Sequence, residues 1–232
     1  RQSDADALRG FSKLFGGSTL SSASAVAVLS KVDRLAKGGD PMLAAAPIAG
    51  RVAAELRGVV SGVIPVIGLL AETAQAAVFT EADALALAAV AAVDDPLDRD
   101  DMLLTSDDFL GFDGLDLERS QRARLLSMLD LYGLKVAVRA ADGGARTASD
   151  FLKVFDEASG FASLREVVVQ RFAGQSEVFK AHAAMNDLRR ASYLRNDPAN
   201  LRALRALRSP LEKTELDPAL HGLRLLEVAQ AV

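Results

Sequence analysis

The residues best placed to carry out chemistry are Lys31 and Asp33, in a tetrapeptide, Ser30–Asp33, that follows a short apolar run, Ala25–Leu29. At the tip of a buried strand, an aspartate can accept hydrogen bonds from the N1–H and the exocyclic amine of guanine. Adenine lacks that pair of donors, so its binding would leave a buried carboxylate unpaired, which is costly. The lysine stem can lie along the base while its ammonium reaches a phosphate-binding loop. The pattern predicts a guanine site, and the alternative is an exposed charge pair after a strand.

The surrounding sequence predicts the elements that would position this tetrapeptide. Asp40 can cap a helix over residues 41–56, whose first residue is a proline. A β-branched run, Val59–Ile64, then predicts a second strand. Strand, helix and strand form a βαβ unit, in which the strands are parallel and the crossover is right-handed. Because ligands bind beyond the carboxyl ends of such strands, Ser30–Asp33 and Val66–Gly68 should lie side by side at one edge of the sheet.

These segments resemble the bacterial dynamin-like GTPases, most closely the actinobacterial group that includes the isoniazid-induced dynamin-like proteins. The resembling stretches are residues 24–35 and 63–73, with weaker likeness at Leu131–Leu134 and Val168–Phe172. The resemblance implies a protein that binds and hydrolyses GTP and couples it to oligomerisation or membrane remodelling. GTP and Mg²⁺ are therefore the implied ligands.

The resemblance also assigns roles to individual residues. In that family the first stretch determines guanine specificity, and the second is a loop whose backbone approaches the guanine oxygen. Lys31 and Asp33 would contact the base. Ser30 stands where the family usually has Asn or Thr and has a shorter side chain. The guanine-binding residues implied in this way are Ser30, Lys31, Asp33, Val66, Ile67 and Gly68.

A phosphate-binding loop of the form Gly-x-x-x-x-Gly-Lys-Ser/Thr is absent from the sequence. Such a loop cradles phosphates with its backbone N–H groups. The nearest stretch, residues 10–19, contains Gly-Gly-Ser-Thr but no lysine after a glycine. We therefore expect the rear part of a GTPase, with the phosphates and Mg²⁺ held by residues upstream. On its own, this part is expected not to hydrolyse GTP.

The composition is typical of a cytoplasmic protein. Cysteine is absent, which excludes disulfides, and two histidines are a poor basis for a histidine-based metal site. Half of the 232 residues are hydrophobic, enough for one or two cores. No signal-peptide pattern is present, and the longest apolar stretch, Val63–Val93, is interrupted by Pro65, Glu72, Glu81 and Asp83. We expect a cytoplasmic protein that can lie peripherally at the inner face of the membrane.

Beyond Phe79 the sequence predicts helices alone. Residues 1–77 are expected to form the C-terminal part of a GTPase-type domain, and residues 78–232 a helical neck or stalk bundle. The expected fold class is mainly α, with a partial α/β GTPase-type domain (one βαβ unit) followed by an all-α helical bundle or stalk. Helices are predicted after a Thr80 cap to Val93, over 98–104, 117–131 and 133–141, over 150–158 between a Thr147 or Ser149 cap and Gly160, and over 161–194, 201–207 and 220–231.

Acidic residues concentrate between Asp94 and Glu118, where ten carboxylates accompany one basic residue, Arg99. A metal site would need these carboxylates to converge, with the spacing of a calcium loop. The glycine and terminal glutamate of that loop are absent after Asp98-x-Asp100. We favour turns and helix caps, where aspartate is common.

Basic residues form a stripe in the segment Leu201–Arg208, where leucine and arginine each recur every three residues. On a helix this gives an apolar seam flanked by a basic one. Arg202, Arg205 and Arg208 could contact anionic lipid headgroups or an acidic partner. The favoured alternative is a helix docked on the bundle with its arginines reaching into solvent. Nucleic acid is not an expected partner, because the net charge is −4 and no aromatic residue is interleaved with the arginines.

Two functions remain open on these grounds. The first is the C-terminal portion of a dynamin-like GTPase, with guanine nucleotide, self-association and an anionic membrane surface as partners. The runner-up is a non-enzymatic helical interaction module, in which a degenerate GTPase-domain remnant serves packing or heteromeric assembly.

Overall fold

Helices dominate the computed structural model, which describes residues 25–35, 39–57 and 59–170 together with residues 180, 181, 184, 185, 206, 213 and 218. A short parallel sheet accompanies them, so the expected fold class, mainly α with a small α/β part, is confirmed. The elements of the described residues are, in chain order, β1 (Ala27–Leu29), α1 (Pro41–Glu55), β2 (Val63–Pro65), α2 (Gly68–Gln75), α3 (Glu81–Ala91), α4 (Pro96–Met102), α5 (Ser106–Gly111), α6 (Arg119–Asp142), α7 (Ala148–Ser159) and α8 (Phe161–Val168).

The two strands run parallel, as the sequence predicts. The Ser61 N–H donates to the Ala25 carbonyl at 2.8 Å, and the Val66 N–H donates to the Leu29 carbonyl at 2.9 Å. The bonded partners advance together along both strands, which is the parallel register. The carboxyl ends of β1 and β2 therefore lie at the same edge of the sheet.

The second strand begins later than predicted. The β-branched run indicated a strand over residues 59–64, whereas β2 covers Val63–Pro65. Val59 and Val60 instead donate their N–H groups to the carbonyl of Leu56, at 2.9 and 3.2 Å. These two residues complete the turn that ends α1, so the helix end overrides their preference for strand.

Several helices begin at the residues that the sequence predicts as caps. Asp40 caps α1 through its carboxylate, and α1 ends at Glu55, one residue before the predicted end. Thr80 and Asp83 form a reciprocal capping box at the start of α3. Of the two caps considered for α7, Thr147 is the one used, and Ser149 lies inside the helix.

The pair Asp95-Pro96 starts the helix that follows α3. The Asp95 carboxylate accepts a hydrogen bond from the Leu97 N–H at 2.8 Å, and Pro96 occupies the first helical position. The helix α4 therefore covers Pro96–Met102 instead of the predicted 98–104. The carboxylate of Asp108, which also belongs to the acidic stretch between Asp94 and Glu118, accepts a hydrogen bond from the Thr105 hydroxyl at 2.6 Å at the start of α5.

The last third of the chain is described only in part. The helix predicted over residues 161–194 begins as α8, Phe161–Val168. Almost all the rest of that prediction, and of the helices predicted over 201–207 and 220–231, lies outside the described residues, as do Arg202, Arg205 and Arg208. Within the described ranges, no helix combines the length and the hydrophobicity that crossing a membrane requires.

One compact unit comprises residues 28–49 and 64–165, and side chains of α2, α3, α6 and α7 build most of its core. Three phenylalanine rings, Phe79, Phe151 and Phe155, meet there. Phe79 lies edge-on to the other two, with centroid distances of 5.6 Å to Phe155 and 6.2 Å to Phe151. Phe151 and Phe155 are fully buried. This phenylalanine cluster joins α7 to the segment between α2 and α3.

The other unit comprises residues 1–27, 50–63 and 166–232, of which the structure describes a part. Both the backbone N–H and the hydroxyl of Ser61 donate to the Ala25 carbonyl at 2.8 Å. Leu56 and Val60 are buried. The domain boundary predicted between residues 77 and 78 stays a prediction.

A break divides α6 at Asp130, which has φ 51° and ψ 179°. The sequence predicts separate helices over 117–131 and 133–141. In the structure both belong to α6, which is interrupted at Asp130. Its carboxylate accepts from the Leu131 N–H at 2.7 Å, and the Thr73 hydroxyl donates to the Met128 carbonyl at 2.6 Å. These bonds satisfy backbone groups that a continuous helix would pair internally. The conformation of Asp130 is one that glycine almost alone adopts without strain.

A buried carboxylate, that of Asp83, connects α3 to α6. It accepts hydrogen bonds from Arg124 at 2.8 and 3.1 Å and from the Thr80 N–H at 2.8 Å. Burial alone would raise the pKa of Asp83, but the hydrogen bonds from Arg124 and Thr80 outweigh it and hold the pKa below its ordinary value of 3.8. A carboxyl whose pKa is lowered by folding stabilises the folded state above the unfolded pKa. That contribution is lost as the pH falls through the folded pKa.

We predict that Asp83→Asn lowers the free energy of unfolding at pH 7 by about 2 kcal/mol. The cost is moderate because Arg124 is half exposed and water can solvate its guanidinium once the partner is gone. Urea denaturation at pH 7 and at pH 3 measures the effect, with exposed Asp94→Asn as the control. The difference between wild type and Asp83→Asn should narrow at pH 3, and an equal difference at both values would contradict this assignment.

Candidate functional site

The tetrapeptide Ser30–Asp33 turns the chain back at the carboxyl end of β1. Lys31 is in the left-handed conformation, with φ 57° and ψ 35°, and the next residues form a single 3₁₀ turn, Val32–Arg34. Val32 is fully buried and anchors this turn, while Ser30 and Lys31 are exposed and Asp33 is half-buried. A left-handed residue other than glycine costs on the order of 1 kcal/mol and is frequent at ligand sites.

The charged groups of Lys31 and Asp33 have no hydrogen bond or ion pair within the described part of the chain. The Asp33 carboxylate therefore keeps its acceptor oxygens available. Because Asp33 is only half-buried, water can reach this carboxylate as long as no ligand is bound. A ligand that supplies two N–H donors would replace that water with charge-assisted hydrogen bonds.

The second predicted segment, Val66–Gly68, lies at the same edge of the sheet because it follows β2. Its backbone is largely engaged: the Val66 N–H donates to Leu29 and the Ile67 N–H donates to Ser159, both at 2.9 Å. The side chains of Val66 and Ile67 are buried. Gly68 is exposed and begins α2. Its N–H, in the first turn of a helix, has no acceptor within that helix and is the donor of this segment best suited to a ligand.

A cleft of about 430 Å³ opens beside Asp33, within the unit formed by residues 28–49 and 64–165. Small-molecule sites typically have volumes of about 300–1,000 Å³, so the cleft is large enough for a nucleobase. Of the predicted guanine-binding residues, Asp33 alone is in its lining. The lining consists of Asp33, Gly39, Arg99, Asp100, Leu103, Leu131, Tyr132, Lys135, Val138, Arg139 and Asp142.

Three acids and three bases among these residues balance in charge. Arg99 and Asp142 form an ion pair at 3.1 Å, and Arg99 also donates to the Val93 carbonyl. Arg139 uses its Nε to donate to the Lys135 carbonyl at 3.3 Å, and its guanidinium also donates to the phenol oxygen of Tyr132. The cleft therefore offers a carboxylate acceptor, Asp33, and guanidinium donors of Arg139.

Tyr132 lines the same cleft as these charged residues. Burial raises the pKa of the Tyr132 phenol above its ordinary value of 10.0; Arg139 opposes this shift, and the carboxylates of Asp40 and Asp33 add to it. The phenol is therefore protonated at neutral pH and can donate a hydrogen bond. Asp33 and Tyr132 line the same cleft.

The residues Tyr132 and Arg139 were not predicted as site residues. Helical periodicity puts Tyr132 with the apolar residues Leu125 and Leu129, and nothing local to the sequence connects α6 to the turn after β1. Only the tertiary structure brings them into the cleft that Asp33 also lines. Among the described residues, no group of three or more His, Cys, Asp or Glu side chains could hold a metal ion.

Comparison with known proteins finds similarity to the isoniazid-induced protein IniC of Mycobacterium tuberculosis, in the strains CDC 1551/Oshkosh and ATCC 25618/H37Rv. The chain is 31% identical to each over 228 residues, which is 97% of this chain and 44% of the relative. The chain thus spans less than half the length of these relatives. No protein-family model and no solved structure matches it. The similarity agrees with the resemblance to the group that includes isoniazid-induced proteins.

Proposed function

We propose that this chain is the C-terminal portion of a dynamin-like GTPase and that Asp33 and Lys31 recognise the guanine base. The observation that carries the proposal is the half-buried, unpaired carboxylate of Asp33, held at the carboxyl end of a parallel strand and beside a cleft. The 31% identity to IniC over 97% of the chain supports it at the level of the family.

The chemistry follows from the acceptor geometry of a carboxylate. Its two oxygens can accept from the N1–H and the exocyclic amine of guanine at the same time. Adenine would leave the same carboxylate without donors, and this penalty would exclude it. The Gly68 N–H could donate to the guanine oxygen. The phosphates and Mg²⁺ would be held by residues of the intact protein outside this chain.

The expected result for Asp33→Asn in the intact protein is a loss of about 2–3 kcal/mol in GDP binding, because a charged acceptor becomes an amide donor facing the base. Xanthine carries a carbonyl oxygen where guanine carries the amine, so the variant should bind xanthosine diphosphate better than wild type does. Isothermal titration calorimetry with both nucleotides measures this exchange of specificity.

Asp94→Asn is the matched control, since Asp94 is an exposed aspartate that does not line the cleft. It should leave both affinities unchanged. Equal GDP affinity in wild type and Asp33→Asn would show that Asp33 does not contact the base. An intact protein that binds no guanine nucleotide would refute the GTPase proposal altogether.

The helices after β2 would then convert nucleotide state into self-association or membrane remodelling. Their contacts support such coupling, because α2 directly follows β2 and packs in one core with α6 and α7. Contact with anionic lipid through Arg202, Arg205 and Arg208 is part of the same proposal, and these residues lie outside the described ranges.

One observation favours the runner-up, a non-enzymatic helical interaction module. Two of the three N–H groups in Val66–Gly68 are engaged with Leu29 and Ser159, and two of its side chains are buried. In such a module the segment would serve internal packing alone. The calorimetric experiment distinguishes the two, since this module would bind no guanine nucleotide.

A further inference from the structure

We infer that the helix α6 completes the base pocket, with the Tyr132 ring stacking on the guanine and the Arg139 guanidinium donating to its O6 and N7. This inference rests on the proposed function, because it takes guanine to be the ligand of Asp33. It assigns part of the nucleotide site to the helical region rather than to the βαβ unit.

The first argument is the composition of the cleft. Asp33 and Tyr132 lie in the lining of the same cleft, and they interact electrostatically. Leu131 and Val138 give the cleft apolar walls, which suit the face of a planar base. Aromatic side chains stack on nucleobases, and Tyr132 is half-buried, so one part of its surface is packed while another remains accessible.

The second argument is the complementarity of donors and acceptors. Guanine has two adjacent donors on one edge, N1–H and the amine, and two adjacent acceptors on another, O6 and N7. The cleft has an unpaired carboxylate in Asp33 and a guanidinium in Arg139, which donates to the Lys135 carbonyl and to the Tyr132 phenol and has further N–H donors for a ligand. Arg99 is already paired with Asp142, so Arg139 is the arginine of the lining suited to this role. Bidentate pairing of arginine with O6 and N7 is a common way to read guanine.

The third argument is the strained break at Asp130. A residue other than glycine at φ 51° and ψ 179° persists only where its surroundings enforce it. The break lies two residues before Tyr132 and immediately before Leu131, both in the lining of the cleft. It ends the preceding part of α6 and sets a new direction for the face that carries Tyr132, Lys135 and Arg139.

The test uses the intact protein and calorimetric titration with GDP and 7-deaza-GDP, which lacks the N7 acceptor. Tyr132→Ala should weaken GDP binding by about tenfold, and Tyr132→Phe should retain most of the affinity because the ring is kept. Wild type should bind GDP about tenfold more tightly than 7-deaza-GDP. Arg139→Gln should bind both nucleotides with equal, reduced affinity, whereas exposed Arg51→Gln should behave as wild type.

The outcomes separate this inference from the proposed function. If Asp33→Asn weakens GDP binding while Tyr132→Ala and Arg139→Gln do not, the GTPase proposal stands and the role of α6 is refuted. If wild type binds no GDP, both fail. Thermal denaturation checks that each variant is folded. Should Tyr132→Ala unfold, Arg139→Gln decides through the ratio of GDP to 7-deaza-GDP affinity, and a ratio unchanged from wild type overturns the inference.

Discussion

Replacing Phe155 with alanine is expected to lower the free energy of unfolding by about 3–5 kcal/mol. Phe155 is fully buried and lies edge-on to Phe79 at 5.6 Å and stacked with Phe151 at 6.2 Å. The substitution removes the apolar surface of the ring and leaves a cavity that helices on several sides cannot close. Chemical denaturation followed by circular dichroism measures the loss.

Phe155→Leu and Leu85→Ala are the matched controls for this prediction. The first keeps most of the buried volume and should cost less than the alanine variant. The second removes a large apolar side chain that is 70% exposed and should change the free energy of unfolding by less than about 0.5 kcal/mol. A small effect of Phe155→Ala, similar to that of Leu85→Ala, would mean that the phenylalanine cluster is not part of the core.

The second large effect is expected for Gly160→Ala, which should lower the free energy of unfolding by about 3 kcal/mol. Gly160 ends α7 with φ 74°, a conformation that strains a side-chain-bearing residue. An added Cβ would also lie 2.7 Å from the Pro65 carbonyl oxygen and 2.5 Å from the Met42 methyl group. Met42 can move, but the Pro65 carbonyl belongs to β2 and is fixed by the sheet.

Gly144→Ala separates the cost of backbone strain from the cost of the close contact made by an added Cβ. Gly144 also has a positive φ, 103°, but an added Cβ would meet nothing within 4 Å. That variant should cost about 1 kcal/mol from backbone strain alone. If thermal or urea denaturation gives equal losses for the two variants, the close approach of α7 to the end of β2 does not contribute to stability.

The elements that the sequence predicts well are those whose start or end is determined by residues a few positions away. Thr80 and Asp83 form a capping box from their own side chains, and the Gly160 that ends α7 tolerates a positive φ without any partner. The parallel strands were predictable because an apolar run, a capped helix and a second β-branched run have few other topologies.

The elements whose observed bounds differ from the predicted ones lie where two neighbouring elements compete for the same residues. Val59 and Val60 favour a strand, yet the end of α1 uses their N–H groups. Asp95-Pro96 is compatible with both the end of one helix and the start of the next, and here it caps α4. The break at Asp130 involves Thr73, on α2, which bonds to the Met128 carbonyl. A contact between residues so distant in sequence leaves no periodic pattern to recognise.

The candidate site likewise contains residues that the local sequence reveals and residues that only the tertiary structure reveals. Lys31 and Asp33 were identified because their types and spacing have a specific chemistry at the end of a strand. Tyr132 and Arg139 carry no such local signal, and only the tertiary structure brings them into the cleft that Asp33 also lines. The sequence can therefore predict the candidate residues of the βαβ unit, whereas those of α6 are found only from the tertiary structure.

The break at Asp130 also has a mechanical consequence. An unbroken helix of 24 residues would be a stiff rod about 36 Å long. A displacement of one of its ends would therefore displace the other end as well. The break at Asp130 instead divides α6 into two helical segments, or arms. The first is fastened by Arg124 to Asp83 and at Met128 to Thr73, and the second forms a wall of the cleft. A change in the direction of that wall relative to the first part of the helix would therefore require only the dihedral angles of Asp130 to change.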